Sequence, residues 1–222
     1  MMKYKTPGIV LICLVAAMGG YLFGFDFAVI SGALPFLREQ FGLSQYKEGF
    51  TAASLAIGAI IGCLIAGSFS DRYGRKPALS TAAVLFMVSS IGMGTSPSLA
   101  FFISARFIAG MGVGMASMLS PMYIAEIAPA SMRGRLVAIN QLTIVVGILI
   151  TNLINYMLRN HGADAWRYMF DLGIVPSAIF FAGVLWPPES PRWLVKMGKP
   201  GKAKTVLQRI GHDTVVNHSL ET

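Results

Sequence analysis

The sequence predicts an all-α integral membrane protein of six transmembrane helices. Three observations carry that prediction: a composition too apolar for water, apolar runs of spanning length, and basic residues gathered in alternate loops. Of the 222 residues, 55% are hydrophobic and 13% charged, where a soluble domain averages about 25% charged. A soluble core of this size has no room for that much apolar surface.

Apolar runs of roughly 18 to 27 residues suffice to cross a hydrocarbon layer about 30 Å thick. They fall at 8–34, 50–69, 77–94, 99–124, 136–158 and 170–186. Short connections make consecutive spans antiparallel, because lipid-exposed irregular backbone would lack hydrogen-bond partners. The first run follows Lys3 and Lys5 and so resembles a signal peptide, but it continues through Gly20, Leu22 and Phe25 to full spanning length. A retained first helix is the expectation. Cys13 and Cys63 sit inside spans and are read as packing residues.

A net charge of +8 would also fit a nucleic-acid binder, yet its placement excludes that reading. Lys3 and Lys5, then Arg72, Arg75 and Lys76, then Arg133 and Arg135, and finally the residues from Arg192 to Arg209 all fall on one side of the predicted weave. By the positive-inside rule that side is cytoplasmic, with both termini, in a plasma (inner) membrane. Residues 1–195 are expected to form the six-span bundle and 196–222 a cytoplasmic tail, with Ala203, Val206, Leu207 and Ile210 along one side of a short amphipathic helix.

Ionisable groups inside spans are expensive and mark function by default. Two stand out. With span 1 ending near Leu34 or Pro35, Asp26 lies about 12 to 14 Å below that end, and Arg106 lies about 10 Å into span 4 from the same side. Matched depth predicts an ion pair, either a proton relay or a purely structural bridge. On span 5, Gln141, Asn152 and Asn155 share an arc of roughly 60°. Amides can bind the hydroxyls of a neutral polyol or join helices as glue. Gln141 fits the first role, and the two Asn residues fit the second. Gly58 and Gly62 with Ala66, and Gly110 with Gly114, are small residues at fourth positions that permit close helix approach. No metal-ligand spacing, phosphate loop or nucleophile elbow occurs, so neither a cofactor nor an enzyme activity is expected.

Several segments together resemble the first half of the major facilitator superfamily. They are Gly20-Tyr21-Leu22-Phe23-Gly24-Phe25-Asp26, Asp71-Arg72-Tyr73-Gly74-Arg75-Lys76, and Arg106 with Gly110. Others resemble its sugar porter family: Pro121-Met122-Tyr123-Ile124-Ala125-Glu126-Ile127-Ala128-Pro129, Arg133-Gly134, Gln141, Trp166-Arg167 and Pro188-Glu189-Ser190-Pro191-Arg192-Trp193-Leu194. The resemblance implies two inverted three-helix repeats forming one bundle, which faces a second bundle across a central sugar site. That second bundle lies outside these 222 residues, and the expectation is either a fragment of a longer chain or a separate partner chain.

By the same resemblance, Asp26 and Arg106 form the proton-coupling pair of symporter members, and facilitative members carry Asn at the Asp26 position. Gln141 becomes the sugar contact, with Phe23, Asn152 and Ile148 as further substrate candidates. Ile148 stands where some xylose-type members have Gln, which leans the substrate toward a hexose. Asp71, Arg75, Glu126, Arg133, Glu189 and Arg192 match the cytoplasmic gate network, whose alternative role is topological anchoring. The implied partners are a monosaccharide, a proton and the lipid bilayer. A facilitative uniporter and a non-transporting sugar sensor or assembly subunit remain as alternatives.

Overall fold

The computed structural model describes residues 6–210, with side chains described within 8–208. Lys3, Lys5, the side chains of Arg209 and Ile210, and the tail beyond residue 210 lie outside that range. The described residues form α1 (Thr6–Phe41), α2 (Gln45–Tyr73), α3 (Arg75–Gly94), α4 (Leu99–Ile127), α5 (Arg133–Leu158), α6 (Ala165–Asp171), α7 (Ile174–Leu185), α8 (Pro191–Lys196) and α9 (Pro200–Ile210). Six stretches are long and apolar enough to cross a membrane, the sixth being α6 and α7 together (Ala165–Leu185). The protein is a multi-pass helical membrane protein.

Local chemistry fixes most boundaries. Ser44, Ser98 and Ser190 each accept a hydrogen bond from the amide three residues on, capping α2, α4 and α8, and Pro191 supplies a preset φ at the start of α8. Gly74 alone separates α2 from α3, with φ of 107°, a conformation that favours glycine.

Most helices overrun the apolar runs expected for them, α2 covering Gln45–Tyr73 rather than 50–69, and two further differences bear on the packing. α1 runs to Phe41 rather than ending near Leu34 or Pro35. Its last turns carry Arg38, Glu39 and Gln40, so the helix outlasts its apolar run, and Arg38 pairs with Glu48 of α2 at 2.6 Å. The sixth span begins at Ala165 rather than Phe170, because Trp166 and Arg167 are bonded into the fold rather than left in a loop. The Trp166 indole donates to Gln40 at 2.6 Å, and Arg167 donates to the carbonyls of Gly94 and Ser96 at 2.9 Å each.

The packing carries the internal repeat. α2 crosses α4, and α1 crosses α5, each pair meeting through small residues four apart. At Gly58, Gly62, Gly110 and Gly114 a Cβ would meet backbone of the facing helix, and the same holds at Gly20, Gly24 and Gly147 in the other crossing. Exchanging the first three spans with the last three turns one crossing into the other, as an inverted repeat requires. Backbone cannot yield as a side-chain tip can. Gly114→Val is therefore expected to destabilise the bundle by about 1 to 3 kcal/mol. Gly67→Ala, whose Cβ would make ordinary contact with Met118, should leave it unchanged. Thermal unfolding of both variants in detergent checks this.

Candidate functional site

The core beside α1 and α4 holds the ion pair. Arg106 Nη1 donates to Asp26 Oδ1 at 3.2 Å, and both side chains are 0% exposed. Only this one hydrogen bond joins them: Asp26 Oδ2 and Arg106 Nε and Nη2 are buried without a partner among the described residues. Aromatic rings surround the pair. The guanidinium lies 5.8 Å from the centroid of Phe170, which packs edge-on against Phe102, and Phe25 packs edge-on against Phe86. A buried pair with unpaired atoms contributes little net stability, since desolvation offsets much of the attraction. Its presence therefore calls for a reason other than holding the fold.

α5 bears the amides. Asn155 is buried and donates to the Ala28 carbonyl of α1 at 3.0 Å, tying the two helices together two residues beyond Asp26. Asn152 is exposed and donates to the Ile148 carbonyl of its own helix at 2.9 Å, so it joins no second helix and its face stays open. Gln141 is exposed. Gln141, Ile148 and Asn152 span about 40° of helix circumference, beside the crossing with α1. Phe23, partly buried, precedes Gly24 at that crossing.

A second polar cluster occupies the opposite end of the bundle. The Arg75 guanidinium donates to both Glu126 oxygens at 2.9 to 3.2 Å, to Asp71 at 3.1 Å and to the Ser70 carbonyl at 3.1 Å. Glu189 accepts from the Arg75 and Lys76 amides at 3.0 and 3.1 Å, seating a carboxylate on the positive end of α3. A Cβ on Gly74 would meet that carboxylate. Arg133 and Arg192 do not join these contacts. Among the described residues Arg133 reaches only the Ala128 carbonyl, at 3.5 Å, and Arg192 is exposed. Three residues not singled out in the sequence do join. Lys196 donates to Asp71 at 2.9 Å, the Trp193 indole donates to the Asp71 carbonyl at 2.9 Å, and the Tyr123 hydroxyl donates to the Pro188 carbonyl. Tyr123 and Trp193 lay within quoted motifs, but only the fold brings them here.

A sugar (and other) transporter family model matches residues 12–222. The chain belongs to the sugar transporter family. Relatives of this family include the arabinose-proton symporter of Bacillus subtilis strain 168, 43% identical over 219 residues that make up 96% of this chain and 47% of the symporter. The D-xylose-proton symporter of Escherichia coli K12 is 39% identical over 252 residues, 99% of this chain and 51% of that one. The solved structure of the proton:xylose symporter XylE bound to 6-bromo-6-deoxy-D-glucose superposes with a TM-score of 0.94 at 39% identity, covering 98% of this chain and 53% of that one. The fold is thus that of the N-terminal half of a major facilitator superfamily transporter. The chain spans about half the length of the curated relatives it matches.

Proposed function

We propose that this chain is the N-terminal half of a secondary active transporter that moves a monosaccharide, hexose or pentose, by proton symport through alternating access. The fully buried, singly bonded Asp26–Arg106 pair carries this reading. A carboxyl group with one oxygen uncommitted can take and release a proton without dismantling its bond to Arg106. Relatives named as arabinose- and xylose-proton symporters agree with that chemistry. Residues 1–195 form the bundle and 196–222 the start of an intracellular linker. The Arg75 end faces the cytoplasm, with both termini, in the plasma membrane.

A second six-helix half, on the same or a separate chain, completes the sugar site across the exposed face of Gln141. With that half present, external acidification should drive sugar accumulation in vesicles. Uptake that never exceeds equilibration would make the protein a uniporter.

Gln141 is exposed and makes no hydrogen bond among the described residues, which leaves its amide to sugar hydroxyls, whereas Asn155 is buried and donates to Ala28. Losing such bonds costs about 1 to 3 kcal/mol, so Gln141→Ala in the intact transporter should weaken sugar binding about 5- to 150-fold. Asn155→Ala should lower thermal stability without that loss of affinity. Titration calorimetry and unfolding curves separate the two effects.

A further inference from the structure

After Asp26 and Arg106, the carboxyl or basic side chain set deepest in a span is Asp171. It lies about 9 Å along the sixth span from Ala165, and Arg106 lies about 10 Å from Leu99. Asp171 is partly exposed as a residue, and its carboxyl group has no hydrogen bond among the described residues. It packs on α3 at Gly94, where a Cβ would meet its oxygens. Asp171 is also the last residue of α6, so it stands at the interruption between α6 and α7. There the Gly173 amide turns back to the Phe170 carbonyl at 3.0 Å. A Cβ at Gly173 would touch Phe25, Phe170 and the Ser90 hydroxyl, and that hydroxyl is fully buried without a partner. Phe25 is the neighbour of Asp26, and Phe170 lies under Arg106. The interruption therefore runs from the partly exposed Asp171 to the Phe25 ring, the Phe170 backbone carbonyl and the unpartnered Ser90 hydroxyl.

Few other charges act on Asp171. Arg167, one turn earlier, is committed to Gly94, Ser96 and Asp164 and faces Asp171 as an unbonded charge. The basic residues of α3 sit at its far end, and α7 has none. Asp26 and Arg106 lie behind Phe25 and Phe170, and Arg159 at the end of α5 stacks on Tyr156.

We propose that Asp171 is the proton-collecting group on the outer side, taking a proton from external water and passing it across the Gly173 interruption toward Asp26. The transfer is a relay: the carboxylate gains one proton and is regenerated when that proton passes to the unpartnered Ser90 hydroxyl, which takes it up as it gives up its own toward Asp26. The proposal rests on the symport reading above. The test is the external-pH dependence of initial sugar uptake by the full-length transporter. Asp171→Asn should slow uptake severalfold at near-neutral external pH, recover on acidification and leave sugar exchange unchanged, while Asp171→Glu keeps the wild-type profile. An unchanged profile in Asp171→Asn, or a loss equal at every pH and in exchange, would overturn it. Wild-type uptake indifferent to acid would remove the symport reading and this proposal with it.

Discussion

Asp26→Asn in the intact transporter is expected to abolish sugar accumulation driven by a proton gradient while leaving sugar binding and exchange largely intact. The Asn carbonyl can still accept from Arg106 Nη1, as Asp26 Oδ1 does at 3.2 Å, so the side-chain geometry is kept and only titration is lost. Apolar burial favours a neutral carboxyl group, and an adjacent guanidinium favours an ionised one. These influences oppose each other, and the outcome turns on water access and on the distance to Arg106. If rocking of the two bundles alters either, the two states differ in proton affinity. Such a difference is what allows a proton to shift a conformational equilibrium. Asn also reproduces the charge state of the protonated intermediate. The wild-type cycle must pass through that state, so the variant should insert and fold, with a lower unfolding midpoint for leaving the guanidinium uncompensated. Counterflow and gradient-driven uptake in proteoliposomes distinguish the outcomes. Continued acid-driven accumulation by the Asn variant would make the pair structural and leave Glu126 as the next candidate.

That pairing was legible from sequence because depth along a helix follows from residue count, and two charges too costly to bury singly settle at one level. The six spans were legible for the same reason, since apolar length is a one-dimensional property. Helix ends were less so. α1 continues past Pro35 through Arg38, Glu39 and Gln40, where no apolar signal marks it, and Trp166 and Arg167 read as a polar loop until their partners on α1 and α3 are seen. The angular argument on α5 placed Gln141, Asn152 and Asn155 together but could not say which borders α1. The small residues decide that, by drawing α1 against the Gly147 side and burying Asn155 while Gln141 stays open. At the Arg75 end, motif resemblance gathered Arg133 and Arg192 with the others, yet neither makes those contacts within this half.

Arg75→Ala is expected to destabilise the bundle by about 3 to 5 kcal/mol, the usual cost of stripping one member from a buried charge cluster. The Arg75 side chain is 8% exposed and that of Glu126 is 11%, so water cannot readily replace the guanidinium. Its loss leaves Glu126 and the Ser70 carbonyl without the donor they share, at the junction where α2, α3 and α4 meet. Lys196→Ala provides the contrast. Lys196 and Asp71 pair at 2.9 Å but are 59% and 49% exposed, and a pair so open to solvent contributes at most about 1 kcal/mol. A double-mutant cycle over Arg75 and Glu126 should return a coupling energy toward the upper part of the roughly 0.5 to 3 kcal/mol range for residues in one network. Thermal unfolding in detergent supplies the stabilities. If Arg75→Ala loses no more than Lys196→Ala, the cluster is effectively solvated, and its residues serve as topological anchors rather than as a latch that alternating access must open.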